Sequence, residues 1–186
     1  MEFFTSDTHY GHANVIQYCN RPFESAQGMN RTLIANWNAV VQPDDIVYHM
    51  GDFSFMNEKE TEKIIQQLNG KKHLIRGNHD KLFKKSKDLH QYFESVSDYK
   101  EIHVTLRDGT SQMIVLCHFP MVVWNKIHRG SWMIHGHCHG NLNPYPMKAK
   151  IMDAGVDPCN YFPISLREVE QHMSKLTWEP LDHHGD

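Results

Sequence analysis

The sequence predicts an α/β fold in which mixed sheet structure is covered by helices, and three observations carry that prediction. Short β-prone runs recur along the chain, helix-period apolar stripes lie among them, and an Asp108-Gly109 pair separates two of the runs as a tight hairpin would. Strands are expected at 3–6, 46–50, 73–76, 102–106, 111–117, 132–135 and 151–156, each a short, mostly apolar stretch. Met29, Leu33, Trp37 and Val40 follow one another at intervals of four, four and three, which places them on one face of a helix. Thr61, Ile64, Ile65 and Leu68 form a second stripe, and Leu166, Val169, Met173 and Leu176 a third. Strand alternating with helix selects a layered α/β arrangement. The hairpin makes part of the sheet antiparallel.

No repeat, low-complexity tract or Pro/Gly/Ser-rich linker divides the 186 residues, so one domain over 1–186 is expected. With 40% hydrophobic and 22% charged residues, a mainly disordered or collagen-like chain is excluded. Nineteen Lys and Arg stand against 22 Asp and Glu, a formal charge of -3, which argues against a partner such as extended duplex nucleic acid held on a basic surface. Cys19, Cys117, Cys138 and Cys159 include no C-x-x-C pair, so neither a zinc ribbon nor a redox pair is indicated. A reduced, cytoplasmic location is expected, the host cytoplasm if the chain is phage-encoded. The amino terminus lacks a basic segment followed by a long apolar one, and no apolar run approaches the roughly 18 residues of a membrane helix, so no membrane association is expected.

Fifteen histidines are the outstanding feature of the composition, because histidine is the commonest metal ligand and works as acid or base near neutral pH. The chemically competent residues follow the expected strands. Asp7 and His9 come after the first, Asp52 after the second, Asn78, His79 and Asp80 after the third, His118 after the hairpin's second arm, and His137 and His139 after the next. Loops beyond strand ends are where ligands collect in layered α/β proteins. Asp7, His9, Asp52, Asn78, His118, His137 and His139 supply two carboxylates, one amide oxygen and four imidazoles. That suffices for two divalent ions if Asp52 is shared, the composition of a two-metal hydrolytic site. Without thiolate in the set, Mn, Fe, Ni or Zn are favoured over a soft metal. Taken singly, Asp7 and Asp52 would read as helix caps or turn formers.

The blocks Asp7-x-His9, Gly51-Asp52, Gly77-Asn78-His79-Asp80, His118 and Gly136-His137-x-His139 stand in the order found in calcineurin-like metallophosphoesterases, which the sequence resembles. Further stretches, Asp7-Thr8-His9-Tyr10-Gly11-His12, Arg21-Pro22-Phe23, Asn36-Trp37-Asn38, Leu116-Cys117-His118-Phe119-Pro120 and Ala154-Gly155-Val156-Asp157, resemble the small phage and bacterial branch of that superfamily. The resemblance implies a four-layer α/β/β/α sandwich of two mixed sheets flanked by helices. It also implies one ion held by Asp7, His9, Asp52 and His139, and a second by Asp52, Asn78, His118 and His137, with Mn²⁺ the ion expected to serve in vitro. After Gly51-Asp52 the chain reads Phe53-Ser54-Phe55, without the extension typical of protein serine/threonine phosphatases, so a phosphoprotein substrate is not expected.

The activity so implied is hydrolysis of a small phosphoester or nucleotide, with diesters preferred to monoesters, through a hydroxide shared by the ions. His79 is expected to protonate the leaving oxygen, with Asp80 orienting or acidifying it. His12, Arg21, Lys84 and Arg129 are candidate substrate contacts, Lys84 within a basic run that also contains Lys81, Lys85 and Lys87. His128 and His135 lie nearer the motifs than the other histidines, and the pair His183-His184 is read as inert. Two other functions fit the same sequence: a catalytically weak protein-binding scaffold, against which the retained His79 argues, and a nuclease acting on single-stranded ends.

Overall fold

The computed structural model describes residues 1–179; the pair His183-His184 lies outside them. In chain order the elements are β1 (Glu2–Thr5), α1 (Ala13–Tyr18), α2 (Ala26–Val40), β2 (Ile46–His49), α3 (Glu58–Gln67), β3 (Lys71–Ile75), α4 (Lys81–Lys85), β4 (Ser95–Ser97), β5 (Tyr99–Thr105), β6 (Ser111–Cys117), β7 (Trp132–His135), β8 (Ile151–Asp153), β9 (Ile164–Ser165) and α5 (Leu166–Ser174). Short 3-10 turns occupy Asp88–Tyr92 and Ile127–Arg129. Each expected strand and each apolar stripe corresponds to one of these elements. The short strands β4 and β9 and the one- to two-turn helices α1 and α4 escape the sequence, because pieces of that length carry too few residues to show a period.

The strands form two mixed sheets. One has the order β4-β3-β2-β1-β9, parallel except for the antiparallel pair of β1 with β9, and the other the order β5-β6-β7-β8, with β5 and β6 antiparallel around Asp108-Gly109. Alternation along each strand sorts the side chains into layers. Phe3, Val47 and Leu74 face outward onto Leu33, Trp37, Ile64 and Ile65 of the two long helices. Phe4, Tyr48 and Ile75 face inward, where they meet Ile114, Leu116, Trp132 and Ile134 of the second sheet. The two sheets are therefore packed face to face, and α5 closes this middle core with Val169 and Met173. A capping box between Ser165 and Glu168 starts α5.

On the outer face of the second sheet, Met113, Val115 and Met133 are covered by Trp124, Ile127 and the segment carrying Tyr145 and Met147. The helical layer there is reduced to the 3-10 turn Ile127–Arg129. The motif Asn36-Trp37-Asn38 proves to be architectural: Asn36 Nδ2 donates to the Tyr161 carbonyl at 3.0 Å, Trp37 Nε1 to that of Asn69 at 3.0 Å, and Asn38 Nδ2 to that of Gln67 at 2.7 Å. No described helix is long and apolar enough to cross a membrane.

Candidate metal centre

Parallel pairing of β1, β2 and β3, and of β6 with β7, brings their carboxyl ends to one edge of the sandwich. The loops that leave those ends turn sharply: Asp7, His9, Asp52, His137 and His139 all have φ between 49° and 69°. Left-handed backbone costs a non-glycine residue roughly 1–3 kcal/mol and persists only where surrounding bonds over-determine it. Here they do. The Asp7 amide donates to the Gly51 carbonyl at 2.9 Å and the His9 amide to the Asp52 carbonyl at 3.0 Å. Two glycines let the loops close: a Cβ at Gly77 would fall 2.2 Å from Asp52 Oδ1, and one at Gly136 2.5 Å from Asp7 Oδ2.

Six of the seven expected ligands are drawn together. Asp52 Oδ2 lies 3.6 Å from both His9 Nε2 and His118 Nε2, while Asp7 Oδ1 lies 3.8 Å from His9 Nε2 and 3.9 Å from His139 Nε2. Asn78 Oδ1 is 2.9 Å from His118 Nε2. Asp7, His9 and His139 form one group able to hold a cation, and Asp7, Asp52 and His118 another. His137 is tied in through its amide, which donates to Asp7 Oδ2 at 2.9 Å, and its ring stands edge-on to His118 with centroids 5.1 Å apart. Asp7, His9, Asp52 and His118 are buried, whereas Asn78 and His137 are exposed, so the floor is dry and the mouth lies on the Asn78 and His137 side.

Unsatisfied polar atoms indicate what this arrangement fits. Asp7 Oδ1 and both ring nitrogens of His9 are buried with no hydrogen-bond partner, an expense that proteins rarely leave uncompensated. Burial pushes the His118 imidazole down to about 4, so it is neutral at pH 7. Its Nδ1 lies 2.7 Å from the Met50 carbonyl, which can only accept, so the one N–H belongs there and Nε2 presents a lone pair toward Asn78. Oxygen and nitrogen lone pairs converging in a buried space suit divalent cations of the Mn, Fe, Ni or Zn type.

The electrostatics yield a measurable consequence. Burial pushes the Asp7 carboxyl up to about 8. Burial opposes the charge on His139, yet its hydrogen bond to Asp157 and the facing carboxylates hold its pKa above the ordinary value. Both groups bind protons more tightly folded than unfolded, so their stabilisation is complete at low pH and is lost as pH rises through the folded pKa. The depressed His9, His49 and His118 oppose this only below their ordinary 6.5. Between about pH 6.5 and 8, metal-free protein should lose denaturant stability with rising pH, by at most roughly 1.4 kcal/mol per unit per group. Mn²⁺ should abolish the slope. A flat metal-free profile over that window would show that Asp7 is already ionised.

Several expected roles are corrected by the geometry. Asp80 is fully buried and its carboxylate accepts the amides of Asp52, Phe53 and Gly77 at 2.7–2.9 Å, so it braces the ligand loops rather than orienting the His79 ring. Arg21 is buried at 4% exposure and turned inward, bidentate to Asp157 at 2.8 Å and donating to the carbonyls of Asp7 and Thr8, so it has no face for substrate. Arg129 is exposed beside Gly130, whose carbonyl accepts from Gln112 near the start of β6. That is the end of the sheet opposite His118. His135 is fully buried and spends its ring on the Gly136 carbonyl and the Tyr145 hydroxyl.

Other expectations find a place at the mouth. The His79 side chain is 46% exposed with Nε2 4.0 Å from Asp52 Oδ2, and its amide donates to Asp52 Oδ1 at 2.9 Å. His12 stacks on Phe55 with centroids 3.9 Å apart and lies 5.4 Å from the His9 ring. Of the basic run, Lys84 lines a cleft with Asn78 and His118, while Lys85 and Lys87 border a separate hollow with Glu58 and Asp88. The sequence reading missed Asp157, which accepts from or shares a proton with His139 Nδ1 at 2.6 Å and is held in turn by Arg21. Its signal was present in the Ala154-Gly155-Val156-Asp157 block, but a carboxylate far along the chain has no visible partner until the fold supplies one. Such carboxylate–imidazole pairs orient a ligand's other nitrogen toward a metal.

Two facing sheets with a carboxylate–imidazole cluster at their shared edge define a candidate hydrolytic metal centre. The model of the calcineurin-like phosphoesterases matches residues 3–184, and the chain belongs to that family of metal-dependent phosphoesterases. It is 39% identical over 179 residues to an uncharacterized protein of Methanocaldococcus jannaschii, covering 93% of this chain and 91% of that one. The Gene 66 protein of Mycobacterium phage L5 is 31% identical over 162 residues, 75% of this chain and 78% of the phage protein. Among solved structures, a protein of unknown function from Aquifex aeolicus superposes with a TM-score of 0.72 at 30% identity, over 92% of this chain and 98% of its own.

Proposed function

We propose that the protein is a dinuclear phosphodiesterase acting on small or nucleotide-type esters in a reducing cytoplasm, with Mn²⁺ as an effective ion. The observation that supports this reading is the convergence of the unpartnered Asp7 Oδ1 and His9 ring nitrogens with the side chains of Asp52, Asn78 and His118, beside an exposed imidazole, His79. When bound, two divalent cations supply charge neutralisation for the phosphoryl oxygens and lower the pKa of water toward neutrality.

The chain's own residues supply the remainder. Asp7, His9 and His139 would hold one cation together with Asp52, whose Oδ2 lies between His9 and His118. Asn78, His118 and His137 would hold the second next to the mouth, with Asp52 common to both sets. His79, half-exposed at the mouth, donates a proton to the departing oxygen, a role worth typically 10²–10⁴ in rate. Asp157 and Arg21 hold the His139 ring in register, and Asp80 keeps the Asp52 and Gly77 loops together.

A panel of phosphomonoesters, linear diesters and 2′,3′- and 3′,5′-cyclic nucleotides, assayed after chelation and again with Mn²⁺, tests the reading. Turnover that returns with the ion and favours diesters is the expected outcome. Background rates across the whole panel would favour a binding scaffold built on the same fold.

A further inference from the structure

The cleft that opens on Asn78 and His118 has a volume of about 400 Å³, and its other walls include Lys84, Phe119 and the pair Arg76 with Asp98. Arg76 is bidentate to Asp98, at 2.9 and 2.7 Å, so its charge is matched. Lys84 makes no ion pair among the described residues and is the cation left to face an anion. Phe119 is 46% exposed, and its ring packs edge-on against His118 at 4.9 Å and His137 at 4.7 Å. A second exposed ring, Phe55, lies on a different flank, against His12, His9 and His79. The site thus has two aromatic flanks, and only the Phe55 flank holds the proposed acid.

We infer that Phe119 is the platform for the nucleobase of the nucleotidyl group that keeps its phosphorus, with Lys84 meeting the phosphate charge, while the leaving group departs on the His79 and Phe55 flank. The inference rests on the phosphodiesterase reading and adds to it the substrate class and its orientation. A base lying on an exposed aromatic face is stabilised by stacking that tolerates any base identity. A leaving oxygen placed on the Phe119 side would face His118 and His137, which the metal reading makes ligands and which therefore have no proton to give. The rings place one organic group on each side of the phosphorus.

Two esters with the same leaving group read this directly: thymidine 5′-(4-nitrophenyl phosphate) and methyl 4-nitrophenyl phosphate, both with the Mn²⁺-loaded full chain. For Phe119→Ala, kcat/KM for the thymidine ester should fall roughly tenfold through KM, while that for the methyl ester stays within about twofold, and Phe119→Tyr should restore the parent ratio. Calorimetric affinity for thymidine 5′-monophosphate should fall in parallel, and elemental analysis should give unchanged metal content. Lys84→Gln should flatten the salt dependence of kcat/KM for both esters. Equal losses for the two esters, or an unchanged thymidine preference in Phe119→Ala, would overturn the inference while leaving the phosphodiesterase reading in place. A parent that cleaves neither ester with Mn²⁺ would remove both.

Discussion

Asp52→Asn is expected to reduce phosphoester hydrolysis to near background and to lower metal content at both positions. Its Oδ2 lies 3.6 Å from an imidazole on either side, so a neutral amide there removes a charge that the two halves of the centre have in common. The loss of metal affinity should exceed the roughly 10–100-fold typical of partners that only orient a ligand. The fold should survive. Asn retains an oxygen to accept the His79 amide, and burial already disfavours the charged form of Asp52 in the metal-free chain. Melting of the metal-free variant at or above the parent temperature, together with lost metal, is the expected pair of results. Full metal content in Asp52→Asn would mean that this carboxylate is not shared.

His79→Ala should behave in the opposite way. The substitution keeps the backbone N–H that donates to Asp52 Oδ1 at 2.9 Å, so the bridging carboxylate stays oriented and the metal content should not change. Removing the ring takes away the proton donor, and kcat for esters with alkoxide leaving groups should fall by about 10²–10⁴. A 4-nitrophenyl ester, whose leaving group needs little protonation, should be affected far less. If both kinds of ester slowed alike, or if metal were lost, the role of His79 would be structural.

The correspondence between sequence and structure is uneven, and the unevenness has physical causes. Short apolar runs and period-3.6 stripes reveal the strands and the long helices because burial selects apolar side chains there, Phe3 and Phe4 being buried on opposite faces of β1. The candidate ligand set is legible because each residue follows a strand and has a chemically suitable side chain. The polar residues beyond it are not. Arg21 stands in a loop segment like a surface cation, and only the distant Asp157, with the carbonyls of Asp7 and Thr8, turns it inward. Asp80, next to His79 in the chain, faces away to collect three amides from two loops. Lys84 and Lys85 are neighbours in sequence, yet helix geometry sends them to different hollows.

Local character was therefore written in the chain itself: which segments form strands and long helices, and which side chains carry donor atoms suited to hard or borderline cations. Tertiary packing decided what those groups do to one another. It set the left-handed turns at five of the ligand positions, the lone pairs left without partners and the aromatic flanks of the mouth. These depend on distances between residues as far apart as Asp7 and His137, and such distances exist only once the two sheets have closed on each other.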